Sequence, residues 1–214
     1  MRIVLFGPPG SGKGTQAAKI TFLYEAEHIS TGDALRQAVA KGEGLGAELK
    51  RHLEKGELAP DELVIGIVAE KLAEIGYENY ILDGFPRTVE QAQALDKILS
   101  EAGKPLETVV DFEVSLDALE SRICSRRVCP ACNEVYNINA KPPKKEGVCD
   151  KCGAELIQRA DDNRESLKKR LEAYEGLTKP VLLYYNSTSA SVVKVDASGS
   201  ADEVFAELRK KLGL

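Results

Sequence analysis

The stretch "GPPGSGKGTQ", Gly7 to Gln16, decides the fold of this chain. It follows the apolar run "RIVLF" and fits most of the phosphate-loop pattern G-x-x-x-x-G-K-[ST]. A glycine-rich turn between a buried strand and a helix presents backbone N–H groups to an anion, and the helix dipole adds to the attraction. An ordinary strand-to-helix turn is the alternative, but four glycines and a lysine within eight residues disfavour it. The stretch therefore predicts a phosphate-binding loop.

One position departs from the pattern. Gly14 stands where a serine or threonine is expected, and Thr15 comes one position late. In switch GTPases and many ATPases, the hydroxyl of this serine or threonine binds magnesium directly. Because Mg²⁺ readily keeps several waters, we expect it here to be held through water, with Thr15 and Asp83 nearby. The loop fits an enzyme that binds magnesium chiefly as part of the nucleotide.

Strands and helices alternate along most of the chain. Sequence patterns predict strands at 2–6, 80–83, 108–114 and 191–195, and helices at 13–24, 30–42, 48–55, 61–75 and 115–126, with a last helix after a capping box of Ser200 and Glu203. This alternation predicts an α/β fold with a doubly wound parallel sheet. Residues 125–162 break the pattern, because they are rich in Cys, Pro, Lys and Asn, and they are interpreted as a small inserted domain.

Composition narrows the class of protein. The formal net charge of −5 over 214 residues disfavours general nucleic-acid binding. Residues 122–170, however, hold 12 Lys or Arg against 7 Asp or Glu, which suggests a local anionic ligand or, in part, a solvated helix face. No apolar run is long enough to cross a bilayer, and the first residues lack a signal-peptide cleavage site. We expect a cytoplasmic protein without a membrane partner.

Four of the five cysteines form two C-x-x-C pairs separated by 16 residues. This is metal-site spacing, since each pair can supply two thiolates to a tetrahedral zinc ion: Cys129, Cys132, Cys149 and Cys152. Four thiolates close the coordination shell, so the zinc would be structural. Two disulfides are the alternative, which a cytoplasmic location disfavours. Cys124 is expected to be a buried thiol, and His28 and His52 are interpreted as structural.

Four motifs together resemble those of the adenylate kinase family: "GPPGSGKGTQ", "ISTGDALR" (29–36), "LDGFPRT" (82–88) and "RADDN" (159–163). They occur in the family's order and spacing, and the resemblance covers essentially the whole chain. It implies a P-loop core with a five-stranded parallel sheet, formed by residues 1–29, 60–124 and 163–214. It also implies an AMP-binding insertion at 30–59 and a zinc-binding lid at 125–162, as in some family members.

The implied reaction is MgATP plus AMP giving two ADP, catalysed by a monomer with Mg²⁺ and a structural Zn²⁺. The resemblance assigns catalysis to Lys13, Arg87, Arg122, Arg126, Arg159 and Arg170. It assigns ATP binding to Gly10, Ser11, Gly12, Lys13, Gly14, Thr15, Arg122, Arg126, Tyr136 and Gly199. It assigns AMP binding to Thr31, Arg36, Gly84, Arg87, Gln91, Arg159 and Arg170, and a water-mediated magnesium contact to Asp83.

The chemistry explains this number of cations. The acceptor is an anionic phosphate oxygen, so transfer needs no general base and depends on positioning and charge stabilisation. ATP and AMP carry about six negative charges, of which magnesium offsets about two. Arginine suits the remainder because its planar fork binds phosphate oxygens in pairs.

Some assignments have rivals. Gln91 also completes a capping box with Thr88, and Asp161 with Asp162 is either an acidic lid hinge or a solvated pair at a helix start. Two segments depart from the family pattern: residues 25–27 replace a Gly-x-Pro turn, and Asn133 stands where glycine is common. Asn tolerates the left-handed conformation, so the second change is mild.

Three other functions stay open at this point. A kinase for another nucleoside monophosphate would differ only in base contacts such as Thr31 and Gln91. A zinc-ribbon module for nucleic acid, fused to a nucleotide switch, fits the basic lid but not the glycine at position 14 or the arginines elsewhere. A nucleotide-binding protein without turnover would leave the dispersed cations unexplained.

Overall fold

The computed structural model describes residues 1–41 and 57–214. Five parallel strands form the main sheet and a separate two-stranded antiparallel ribbon lies in the cysteine-rich region. The strands are β1 (Arg2–Phe6), β2 (Glu27–Ser30), β3 (Tyr80–Asp83), β4 (Thr108–Glu113), β5 (Arg126–Val128), β6 (Val135–Asn137) and β7 (Ser191–Asp196). The order across the main sheet is β2-β3-β1-β4-β7, and β5 pairs with β6. The α/β fold predicted from the sequence is confirmed.

Helices cover both faces of the sheet. They are α1 (Lys13–Tyr24), α2 (Thr31–Lys41), α3 (Asp61–Glu74), α4 (Val89–Glu101), α5 (Leu116–Cys124), α6 (Arg164–Ala173), α7 (Lys179–Tyr185) and α8 (Ala201–Leu212). A π-helical turn, Tyr174–Thr178, joins α6 to α7. The helix predicted at 48–55 lies outside the described residues. Among the described helices, none is both long and apolar enough to cross a membrane.

Two apolar cores follow from the alternation of side chains along buried strands. Val4 and Phe6 of β1 point to the core shared with α3, α4 and α7, whereas Ile3 and Leu5 point to the core shared with α1 and α8. Strands buried on both faces read as continuous apolar runs, which is why β1 was predictable.

The sequence did not predict β2 as a strand. Only Ile29 among its four residues is buried, and β2 pairs with β3 alone because it lies at the edge of the sheet. Its register sets Ser30 opposite Asp83. Sequence patterns alone predicted four strands of the main sheet. The prediction of a fifth strand depended on the family resemblance.

Helix α5 is shorter than predicted and its cysteine is less buried. The helix ends at Cys124, and Arg126 begins β5 instead of ending the helix. Cys124 is half-exposed, so its expected burial is wrong. It lies in the last turn of the helix, beside the start of the ribbon.

The sheet order locates the site. β1 is central, with β3 on one side and β4 on the other, so the chain reverses its winding direction there. In open parallel sheets, ligands bind at the carboxyl ends of strands at such a switch point. The phosphate loop and Asp83 both lie at these ends, after β1 and at the end of β3.

Candidate active site and metal centre

The phosphate loop links β1 to α1, and its glycines are required by the backbone. Gly7, Gly10 and Gly12 have φ values of 143°, 86° and 94°, which L side chains rarely adopt. A β-carbon at Gly10 would also lie 3.0 Å from Cγ1 of Ile123. Gly12 precedes α1 and no side chain caps that helix. Its first N–H groups are therefore available to an anion, as the sequence predicted.

Lys13 begins α1 and folds back over the loop. Its Nζ donates to the carbonyl oxygens of Gly7, at 2.7 Å, and Pro8, at 3.0 Å. Burial lowers the pKa of Lys13 to about 8; Asp83 opposes this shift, and nearby arginines add to it. The ammonium group therefore lies within a region of positive charge that favours an anion.

Asp83 ends β3 directly beside the loop. A β-carbon on Gly14 would lie 3.3 Å from its Oδ2, so the missing hydroxyl of the loop motif leaves room for this carboxylate. Although burial would raise the pKa of Asp83, His28 and Lys13 hold it below the usual value. Asp83 thus carries a negative charge where the sequence predicted a water-mediated magnesium contact.

His28 is a neighbour of Asp83 that sequence reasoning did not connect with the site. Its Nε2 lies 3.5 Å from Oδ2 of Asp83. Interactions with Asp83 raise the pKa of His28 even though burial opposes this. The sequence did not predict this contact because β2, the strand that carries His28 next to β3, is short and polar.

The predicted AMP contacts line one cleft. The predicted residues on its wall are Thr31, Arg36, Gly84, Arg87, Gln91 and Arg170. Arg159, the remaining one, reaches the same region by donating to Asp33 at 3.0 Å. The cleft lies at the carboxyl ends of the strands, beside Asp161.

Carboxylates pair most of the converging arginines. Asp33 accepts from both Arg36 and Arg159, and Asp161 accepts from Arg170 at 3.0 Å. Asp33 thereby brings together two arginines that are far apart in sequence. Asp33 was not predicted as a site residue, because its role depends on a contact with Arg159, 126 residues later.

Arg126 forms a two-pronged pair with Asp162, in which both nitrogens of the arginine fork contact carboxylate oxygens. Asp162 is 1% exposed, so the interpretation of this residue as a solvated acidic group is wrong. Its interpretation as part of a lid hinge stays a prediction. Arg127 instead donates to the backbone oxygens of Cys124 and Arg126.

Burial and mutual repulsion still disfavour the charged forms of the arginines, although the neighbouring carboxylates partly offset both effects. Burial lowers the pKa of both Arg159 and Arg170 to about 10, and neighbouring arginines contribute in the same direction. Arg87 is shifted in the same direction, and its Nε donates to the carbonyl of Gly84. An arrangement of this kind binds phosphate groups favourably because they supply the missing negative charge.

Two predicted ATP contacts meet at another edge of the site. Arg122 of α5 reaches the carbonyl oxygens of Ser198 and Gly199, both at 3.4 Å. Gly199 lies directly before the capping box of α8, in which Ser200 and Glu203 bond reciprocally as predicted. The structure therefore brings Arg122 and Gly199 together.

The four predicted thiolates form a compact cluster. Their sulfur atoms all lie within 4.8 Å of one another. Tetrahedral zinc with bonds of about 2.3 Å requires sulfur separations of about 3.8 Å, so the donor set and its dimensions fit the ion. The prediction of a four-cysteine metal site is consistent with this geometry, and a disulfide framework is not present among the described cysteines.

Each C-x-x-C pair forms the same tight turn. The N–H of Asn133 donates to the carbonyl of Cys129 at 2.9 Å, and Gly153 donates to Cys149 at 2.9 Å. Asn133 and Gly153 have φ values of 59° and 77°. The asparagine therefore adopts the left-handed conformation usually filled by glycine, as predicted.

Tyr136 belongs to the cysteine cluster. Its ring is 3% exposed, its hydroxyl accepts from the N–H of Asp150, and the same oxygen lies 3.6 Å from Sγ of Cys149. Burial would raise the pKa of the Cys149 thiol, but hydrogen bonds from Tyr136 and two backbone N–H groups lower it to about 6. The predicted ATP contact of Tyr136 stays a prediction, and burial of the ring restricts it to backbone atoms.

Known proteins resemble this chain over nearly its whole length. A family model described as adenylate kinase matches residues 5–190. A protein named adenylate kinase from Methanococcoides burtonii is 47% identical over 213 residues, covering 99% of this chain and 98% of that protein. One from Caldanaerobacter subterraneus subsp. tengcongensis is 48% identical, covering 99% and 96%. One from Bacillus subtilis is 46% identical, covering 100% and 98%. The chain belongs to the adenylate kinase family.

Proposed function

We propose that the chain transfers a phosphoryl group reversibly from MgATP to AMP, giving two ADP. The observation that carries the proposal is the convergence of the phosphate loop and the AMP cleft on one set of arginines. Arg87 and Arg170 line the cleft, and the positive charge of each helps to lower the pKa of Lys13 in the loop. Cations that serve two phosphate sites are what transfer between two nucleotides requires, so this arrangement supports the proposal.

AMP would be held at both ends. Arg36, Arg87, Arg159 and Arg170 would bind its phosphate. Thr31 donates its hydroxyl to the carbonyl of Gly84 at 2.9 Å, so its lone pairs would accept from the amino group of adenine. Gln91 would bind the ring nitrogen beside that amino group. Gly84 has a φ of 80°, which allows the backbone to approach the ligand.

ATP would lie along the loop. Its phosphates would be bound by the N–H groups from Gly10 to Thr15 and by Lys13, Arg122 and Arg126. Gly199 would lie near its adenine. The position of Gly199 supports this because Arg122 contacts its carbonyl. Backbone atoms of Tyr136 would complete the site.

Two metal ions would have separate roles. Asp83 would hold Mg²⁺ through water beside the loop, and bound Mg²⁺ supplies charge neutralisation at the ATP phosphates. The four cysteines would hold Zn²⁺ as a structural ion, since the closed thiolate shell leaves no position for a substrate. The ion would make residues 125–162 a rigid lid, with residues 30–59 forming the AMP-binding insertion.

Transfer would depend on positioning. The attacking phosphate oxygen of AMP is already anionic, so none of the described side chains needs to remove a proton. Lys13 and the arginines would stabilise the charge on the group in transit. Closure of the lid would exclude water, which protects that group from hydrolysis. We infer a cytoplasmic monomer with nucleotide partners only.

The proposal is tested by offering MgATP with AMP, GMP, CMP, UMP or dTMP in separate reactions and separating the products by chromatography. ADP formed from AMP, reversibly and much faster than product from the other acceptors, is expected. Comparable turnover with another monophosphate would reassign the substrate and overturn the roles of Thr31 and Gln91. Absence of transfer to all five would overturn the proposed activity.

A further inference from the structure

Gln91 has both ends of its side-chain amide engaged. It lies in the first turn of α4, is 2% exposed and contributes to the wall of the AMP cleft. Its Oε1 accepts from the backbone N–H of Arg87 at 2.7 Å. Its Nε2 donates to Oδ1 of Asp61 at 2.8 Å. The amide is therefore anchored from two directions.

These partners permit only one orientation of the amide. A backbone N–H can only donate, so the atom facing Arg87 must be the oxygen of Gln91. A carboxylate can only accept, so the atom facing Asp61 must be the nitrogen. Exchanging the two ends would set donor against donor and acceptor against acceptor. The unlike neighbours thus settle an orientation that the shape of an amide alone leaves ambiguous.

Asp61 is itself held in place from a second element. It is the first residue of α3, and its Oδ2 accepts from the hydroxyl of Thr88 at 2.7 Å. Thr88 in turn accepts from the backbone N–H of Gln91 and caps α4. Both oxygens of Asp61 are therefore engaged with the turn that carries Gln91. Half of the capping box predicted from the sequence is present, while the Gln91 side chain is directed to Arg87 and Asp61.

The fixed orientation leaves one N–H for a ligand. The amide nitrogen has two hydrogens, and within residues 1–41 and 57–214 only the bond to Asp61 uses one. Adenine presents an acceptor at N1, whereas purines with a 6-oxo group present a donor there. A cleft that offers N–H at this point accepts adenine and opposes a 6-oxopurine, because two donors would meet.

We propose that Asp61 is a specificity-determining residue, which selects adenine over 6-oxopurines by orienting the amide of Gln91. Asp61 is a positioning residue, since it acts through Gln91 and not on the substrate. This inference rests on the proposed function, in which Gln91 binds the base of AMP.

The test compares AMP with inosine monophosphate, whose base differs at the 6-oxo group and N1–H. The ratio of kcat/KM for the two acceptors is measured with saturating MgATP. Asp61→Ala removes the acceptor that holds Nε2 and leaves the N–H of Arg87 as the single anchor of the amide. The amide can then turn about that contact, so the ratio of AMP to inosine monophosphate should fall several-fold, by more than the Asp61→Asn change allows. Asp61→Asn keeps an acceptor oxygen, so its ratio should stay within about twofold of the original. The KM for MgATP should not change in either variant.

Two further comparisons separate orientation from general damage. Asp61→Ser keeps a small polar residue at the start of α3 and should reproduce the alanine result if Asp61→Ala fails to fold. In a Gln91→Ala background, Asp61→Ala should cause no further loss of selectivity, because both changes act on one contact. Glu62→Ala, at the exposed next position, should leave kcat/KM unchanged for both AMP and inosine monophosphate.

The outcomes are distinguishable. An unchanged ratio in folded Asp61→Ala or Asp61→Ser would overturn the inference while AMP turnover by the original chain upholds the proposed function. The inference is also overturned if Asp61→Asn loses as much selectivity as Asp61→Ala. It is overturned as well if Asp61→Ala causes the same loss of selectivity in the Gln91→Ala background. If the original chain transfers no phosphoryl group to AMP, both are overturned.

Discussion

Asp33 accepts hydrogen bonds from both Arg36 and Arg159, two arginines that are 123 residues apart in the sequence. Burial would raise the pKa of Asp33, but the two guanidinium groups hold it below its usual value. Both arginines are proposed ligands of the AMP phosphate. In the nucleotide-free protein, Asp33 therefore supplies the negative charge that the phosphate would supply on binding.

Replacing this carboxylate should destabilise the free protein more than the AMP-bound protein. Asp33→Asn leaves two arginines without their shared anion, and charged hydrogen bonds of this kind contribute about 1.5–3 kcal/mol each. We expect the free energy of unfolding to fall by about 1–3 kcal/mol without nucleotide and by less with saturating AMP. Urea unfolding under both conditions measures this. Glu74→Gln, which removes an exposed partner of Lys71, is the control and should alter neither value. An equal decrease in the free energy of unfolding with and without AMP would contradict the idea that the AMP phosphate replaces Asp33 as the partner of these arginines.

The charge of Lys13 should make ATP binding depend on pH. Its pKa of about 8 means that the free protein loses this positive charge as the pH rises through 8. Phosphate favours the charged form, so the affinity for MgATP should fall between pH 7.5 and 9.5, and binding near pH 9 should take up protons. Calorimetry in buffers of different ionisation enthalpy measures both effects. Lys13→Arg stays charged throughout, so its affinity should be nearly constant; an equal decline in that variant would assign the effect elsewhere.

Replacing Gly14 should alter the dependence of activity on Mg²⁺ concentration more than it alters the stability of the protein. A β-carbon there would lie 3.3 Å from Asp83 Oδ2 and displace the carboxylate by a few tenths of an ångström. Alanine favours a helix over glycine by about 1 kcal/mol, which offsets the crowding. We expect Gly14→Ala to raise the Mg²⁺ concentration for half-maximal activity several-fold with little change in the unfolding free energy.

A matched glycine provides the control for this experiment. Gly66 in α3 has open space where a β-carbon would stand. Gly66→Ala should stabilise the protein by about 0.5–1 kcal/mol and leave the magnesium dependence unchanged. An unchanged magnesium dependence in Gly14→Ala would show that Asp83 does not act on the metal.

Removal of the thiolate-bound metal should lower thermal stability. The protein is expected to contain one zinc ion per chain, and chelation should lower Tm by several degrees, since each kcal/mol is worth about 2–4 °C in a chain of this size. Protease should then cut preferentially within residues 125–162. Cys132→Ser should lose the metal, whereas Cys124→Ser should retain it because Cys124 lies outside the cluster. A metal-free protein with paired disulfides would contradict the zinc site.

Local patterns made much of this predictable. The loop motif, the buried strands and the two C-x-x-C turns are each specified within a few neighbouring residues. β2 was missed because an edge strand with one buried residue has no clear periodicity. Asp33, His28 and Asp61 were missed because each has a partner at the site that lies far away in the sequence. Asp61 is 30 residues from Gln91, and Asp33 is 126 residues from Arg159. Such pairs depend on how α2, α3 and residues 125–162 pack, which spacing along the chain does not reveal.

The most direct test of phosphoryl transfer between two nucleotides starts from ADP and Mg²⁺ alone, followed by phosphorus NMR. We predict that ATP and AMP appear in equal amounts until equilibrium, without inorganic phosphate, because in the proposed mechanism the arginines would serve both nucleotide sites and closure would exclude water. Release of inorganic phosphate in proportion to ADP lost would indicate hydrolysis, and no conversion would indicate binding without transfer; either result would contradict the account.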